Sequence, residues 1–145
     1  MTALSKNMGS ILQVKFGNIQ NYVAGGTIWR GSLVVLNLVD GLAYAATDTA
    51  DDGDVTRLLM VGFAQEKALV GEDIRVRQDG KLERTWQGSS AGKKPGRLAC
   101  VYDDATVQAA SAGKVVVGRI TEVGTTKVFV DLVDRPVRIA TGSYD

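Results

Sequence analysis

The chain has no histidine, one cysteine, two prolines, few aromatic residues (three Phe, four Tyr, two Trp) and no long apolar run. Each shortage excludes something. Without histidine, the commonest general base and zinc ligand is missing. Cys100 cannot form an intrachain disulfide, and its neighbours Leu98, Ala99 and Val101 mark it as a small buried hydrophobe rather than a reactive thiol. Runs such as "LVVL" at 33–36 are far too short for a bilayer of about 30 Å, and "MTALSKNMGSILQVKF" lacks the apolar core of a signal peptide. The expectation is a soluble protein made in a reducing cytoplasm. A net charge of only +1 gives no global reason to expect a nucleic acid or an acidic membrane as partner.

What is present is β-forming. A chain of 145 residues suits one domain, which buries about 68–70% of the surface its unfolded form exposes. Seventeen glycines fall mostly between short runs of Val, Ile, Leu and Thr, the pattern of many strands joined by tight turns. Strands are expected at 11–16, 33–39, 42–46, 57–64, 73–78, 81–86, 97–102, 114–123 and 126–133. No stretch sustains a helical stripe over three turns, and "TVQAASAG" at 106–113 reads as a loop or a single helical turn. The expected fold is all-β: a compact β-barrel or β-sandwich of short antiparallel strands with an extended N-terminal arm.

Two hairpins can be set in register. Around "RVRQDGKLER", a three-residue loop of Gln78, Asp79 and Gly80 places Val76 opposite Leu82 and Arg75 opposite Glu83. A Gly124-Thr125 turn sets Glu122 opposite Lys127, Ile120 opposite Phe129 and Val117 opposite Leu132. There is also an internal echo. "RGSLVV", "MVGFA" and "DIRVRQ" (30–35, 60–64, 73–78) resemble "PGRLACVY", "VVVGRI" and "KVFVDL" (95–102, 115–120, 127–132), with unequal loops, and hint at two related β layers.

Residues 1–26 differ in character, mixing Asn and Gln with isolated apolar residues and ending in Gly25-Gly26. They read as an N-terminal arm, followed by a β domain over 27–139 and a C-terminal tail over 140–145. Ile11, Leu12, Val14 and Phe16 form an apolar strand that could add to a neighbour's sheet edge, and Trp29 and Arg30 would stand at the docking edge.

The chemical motifs fail on inspection. "DTADDGDVT" at 48–56 is acidic enough for calcium, but with Gly53 on the invariant glycine, Ala50 and Leu59 stand where ligands belong. "GSSAGKKPG" at 88–96 is one residue too short for a phosphate loop, and Pro95 blocks the helix that should follow. Its Lys93 and Lys94, with Arg97, leave a basic loop suited to solvent or to an acidic protein surface. The loop carboxylates Asp51, Asp52, Asp103 and Asp104 occur as adjacent pairs that point apart in extended chain. No catalytic, cofactor-binding or metal-binding residue is assigned, and no enzyme is expected. Trp29 and Trp86 each read as core or sheet-packing residues rather than ligand platforms, with a subunit-interface anchor as the alternative.

Taken together, "GSLVVLNLVDGLAYAAT" (31–47), "MVGFAQEKALVGEDIRVRQDGKLE" (60–83), "LACVYDD" (98–104), "VVVGRITEV" (115–123) and "KVFVDL" (127–132) resemble the capsid cement, or head-decoration, proteins of tailed bacteriophages. The family's Gly-Val-Ala step stands here as Gly62-Phe63-Ala64. The resemblance implies a structural virion protein, made in the host cytoplasm and seated on the outer capsid surface. It implies a homotrimer or dimer that bridges copies of the major capsid protein, with no cofactor, no nucleic-acid specificity and no membrane. The alternatives are a soluble β-barrel module holding a glycan or nucleic acid, with Trp86 as a platform, and a phage tail or baseplate component.

Overall fold

The computed structural model describes residues 19–46, 58–111 and 114–132. They form ten strands: β1 (Ile19–Val23), β2 (Leu33–Asn37), β3 (Ala43–Ala45), β4 (Leu58–Ala64), β5 (Asp73–Arg77), β6 (Lys81–Gln87), β7 (Leu98–Val101), β8 (Thr106–Ala109), β9 (Val116–Val123) and β10 (Lys127–Asp131). Apart from a 3₁₀ turn at Ser90–Gly92, the described chain is all β, as its glycine-punctuated apolar runs require.

The ten strands are one five-stranded unit used twice. The first sheet runs β1-β5-β4-β2-β3, and the parallel bridge Ala24–Ala43 brings its two ends together. In the second unit β10-β6-β8-β7-β9 closes into a barrel, where Trp86 pairs in parallel with Val107. Renaming β1–β5 as β6–β10 converts one strand order into the other. The match extends to single hydrogen bonds: Ala24 N–H donates to Glu72 O and Trp86 N–H to Thr126 O, each at 2.9 Å. Gly31 N–H donates to Ala64 O and Gly96 N–H to Ile120 O, each at 2.8 or 2.9 Å. Even the irregularity repeats. Val34 pairs with Gly62 and Ala99 with Gly118, and in both units the register shifts at the next residue. The sequence echo between 30–78 and 95–132 is therefore a tandem repeat of a whole small barrel.

Burial explains why some strands are apolar throughout. In β2, Val34 faces the interior of the first barrel with Ile28, Val61, Ile74 and Val76, whereas Leu33 and Val35 face the second barrel. There they join Met60, Trp86, Val107, Val117, Val128 and Val130 in a single core. β2 and β4 are thus covered on both sides: the first barrel keeps its own interior, and a second core is shared between the outer face of the first barrel and the inside of the second.

Several expectations need correction. β5 and β6 form no hairpin: β5 pairs with β1 and β4, β6 with β10 and β8, and Gln78-Asp79-Gly80 carries the chain from one barrel to the other. Both strands alternate apolar and polar residues, so they satisfy the register test with any partner, local or distant. The β9–β10 hairpin does form, but its turn is Thr125-Thr126. Val123 pairs with Val128, Glu122 with Phe129 and, beyond a bulge, Ile120 with Val130. "TVQAASAG" contains β8, whose Thr106 and Val107 favour a strand and which is held on both edges by β6 and β7. The β6–β8 pair and its counterpart, the Ala24–Ala43 bridge, are parallel, exceptions to an otherwise antiparallel fold. Of the arm expected over 1–26, residues 19–23 form β1 and Ala24 closes the first barrel. Residues 1–18, the strand expected at 11–16 and the tail at 140–145 lie outside the described residues.

Candidate interaction surfaces

Ile11, Leu12, Val14 and Phe16 lie outside the described residues, as does the acidic loop 48–56. Trp29 and Arg30 are exposed in the turn that leads into β2, with Ser32 N–H donating to Trp29 O at 3.1 Å. Trp29 is 59% exposed, and Lys67 Nζ stands 4.0 Å from its ring centroid. Trp86 is the opposite case. It is buried inside the second barrel, with its indole N–H donating to Ser89 O at 2.9 Å, so it offers no platform for a base or sugar. Cys100 is fully buried, as its flanks suggest. In the basic loop, Lys93 Nζ donates to Thr125 O at 2.6 Å, while Lys94 and Pro95 remain exposed.

One end of the first barrel carries an apolar cap that no sequence motif announced. Leu38 and Val39 occupy the β2–β3 turn, Leu69 and Val70 the turn before β5, and Val23 the end of β1. The Val23–Asp73 pair, the Ala24–Ala43 bridge and the Gly71 N–H bond to Ala24 O bring these segments together at one end. Val39 and Val70 are 67% and 68% exposed, more than Trp29. Exposed Asp40, Glu72 and Asp73 rim the cap. The Tyr44 hydroxyl, donating to Asp40 at 2.6 Å, and the Leu42 N–H hold the Asp40 carboxyl below its ordinary range, so it stays ionised. The repeat shows that the fold does not need this cap. In the second barrel the corresponding turns carry Asp103, Asp104, Thr125 and Thr126. The available signal was two turns, "NLVDG" and "ALVGED", with apolar pairs where turns ordinarily place polar residues.

The second surface is an open cleft of about 310 Å³ where the barrels meet. The first barrel contributes Arg30, Gly31 and Ser32. The second contributes Glu83, Arg84, Asp104 and Lys127. The Asp104 backbone carbonyl accepts from Leu33 N–H at 2.8 Å and its carboxylate from Ser32 Oγ at 3.0 Å, tying the β7–β8 turn onto the first barrel. Arg84 Nη2 donates across the same junction to Gly31 O, and Nη1 to Glu83 O at 2.9 Å. Its Nε is buried without an acceptor, and desolvation lowers the proton affinity of the guanidinium.

Among the described residues, no group of three or more Cys, Asp or Glu side chains is placed to hold a metal ion, and no helix is long and apolar enough to cross a membrane. No protein-family model matches the chain, and no curated protein matches it.

Proposed function

We propose that the chain is a structural virion protein that decorates the outer surface of a phage head and stabilises it by bridging major capsid proteins. The observation that carries this reading is the apolar cap of Val23, Leu38, Val39, Leu69 and Val70, present on one barrel and replaced by polar residues on its twin. A nearly neutral double barrel with one adhesive end is suited to seating many copies on a repeated lattice, where avidity makes up for modest single contacts. Alongside the cap, the reading keeps Ile11, Leu12, Val14 and Phe16 as an arm contacting a neighbour, with Trp29 and Arg30 beside it. It also keeps self-association as a trimer or dimer, and no catalytic role.

The test is binding of purified variants to heads that lack this chain. Leu38→Asp with Val70→Asp should leave the circular-dichroism spectrum and melting temperature within a few degrees of wild type, because both side chains face solvent. Head binding should fall at least tenfold, since a desolvated carboxylate at an interface costs well over the ~1.4 kcal/mol that tenfold represents. Undiminished binding would remove the cap from the lattice contact.

A further inference from the structure

The interbarrel cleft is unbalanced in charge. Three cations, Arg30, Arg84 and Lys127, line it against two carboxylates, Glu83 and Asp104. Neither arginine is in contact with a carboxylate: among the described residues no ion pair involves Arg30 or Arg84, the Asp104 charge acts on Arg84 only through space, and Lys127 stands 4.0 Å from Glu83. Arg84 gives one N–H of each Nη to a backbone carbonyl and leaves Nε unpaired in a buried position, a costly arrangement for a group that never loses its charge. Arg30, on the opposite lip, makes no hydrogen bond within the described chain and has its planar fork free.

We infer that this cleft receives one carboxylate, supplied by an exposed Asp or Glu side chain of a protein partner and held between Arg30 and Arg84. A single negative charge cancels the local excess of one positive charge. A phosphate would bring close to two negative charges beside Glu83 and Asp104, which argues against it. The cleft is open and short, so a side chain can enter where a whole strand cannot. Because both barrels supply its walls, the site exists only while the repeat units stay docked. The inference stands whether or not the partner is a capsid.

The test uses the full chain, ¹⁵N-labelled, at constant ionic strength, titrated with N-acetyl-glutamate amide as probe and with the glutamine equivalent as control. The expected result is a saturable shift of the Ser32 and Thr85 amide signals and of the Arg84 Nε–H signal, with millimolar affinity for the capped glutamate only. Arg30→Gln should weaken it about tenfold while the rest of the spectrum is retained, because Arg30 is exposed and bonds to nothing else in the described chain. Arg84→Gln should abolish it, and its unfolding would leave Arg30→Gln to decide. Non-saturating shifts, equal shifts with the glutamine probe, or an unweakened Arg30→Gln would overturn the inference. Tighter binding of inorganic phosphate than of the capped glutamate would overturn the assignment to a carboxylate.

Discussion

Replacing Gly62 with alanine is expected to lower the unfolding free energy by about 3 kcal/mol or more, enough to leave a domain of ordinary stability largely unfolded on warming. Two costs coincide at this residue. Its φ of +142° is a conformation that L-residues rarely adopt, and a Cβ there would lie 2.0 Å from Arg77 O. The collision is with the backbone of the neighbouring strand, so no side-chain rotation relieves it. Gly118 is the same position in the second barrel, where a Cβ would lie 2.1 Å from Asp131 O; its φ lies outside the left-handed region, so Gly118→Ala should be strongly damaging through the collision alone. Gly31→Ala is the control. Gly31 also has a positive φ, but a Cβ there meets nothing within 4 Å, so only the backbone cost of about 1 kcal/mol is expected. Urea denaturation of the three variants checks the ranking. Equal effects would show that the tight crossing at the bulge is not what those two glycines serve.

The second large effect is at Trp86. Trp86→Ala should cost about 3–5 kcal/mol, because it empties the largest side chain from the core that both barrels share and strands Ser89 O without its indole donor. Trp29→Ala should cost under about 1 kcal/mol, since that residue is mostly exposed, with Lys67 over its ring. Because Leu33, Val35 and Met60 of the first barrel lie in the same core as Trp86, loss of the tryptophan should lower a single cooperative melting transition. Two separated transitions in calorimetry would mean that the barrels are energetically independent and the shared core contributes little.

The legible and illegible parts of this fold divide by the range of the interactions involved. β2, β4 and β9 stood out because burial on both faces, or around a closed barrel, demands unbroken runs such as "LVVL", "LLMV" and "VVVG". β1 did not, because "IQNYV" is a mostly exposed strand whose pairing with β5 lies more than fifty residues away in sequence. The repeat was visible in three of its strands and hidden in the other two. "IQNYV" and "KLERT" share almost nothing, nor do "AYA" and "VQA", although they occupy matching places. What the two copies retain is backbone geometry: a glycine at the bulge, a glycine in the turn before the second strand (Gly31 before β2, Gly96 before β7), and the same crossing hydrogen bonds.

The surfaces followed the same rule. Arg30 could be placed at an exposed docking edge because a Gly25-Gly26 hinge precedes it and a turn glycine follows, whereas Trp29 reads first as a packing residue and instead stands exposed. Arg84 could not. On β6 it is one charged residue in an alternating strand, and only the distant packing of β6 against Gly31 makes it a half-buried cation. The apolar cap stayed hidden because its residues come from three separate segments that the barrel gathers at one end.

The most direct test of the proposed role is cryo-electron microscopy of purified particles that carry this chain, compared with particles that lack it. The account predicts double-barrel density at every equivalent site on the head exterior, with the Val39 and Val70 turns directed at the shell, and earlier bursting of the particles without it. Heads of equal robustness with no such density would contradict it.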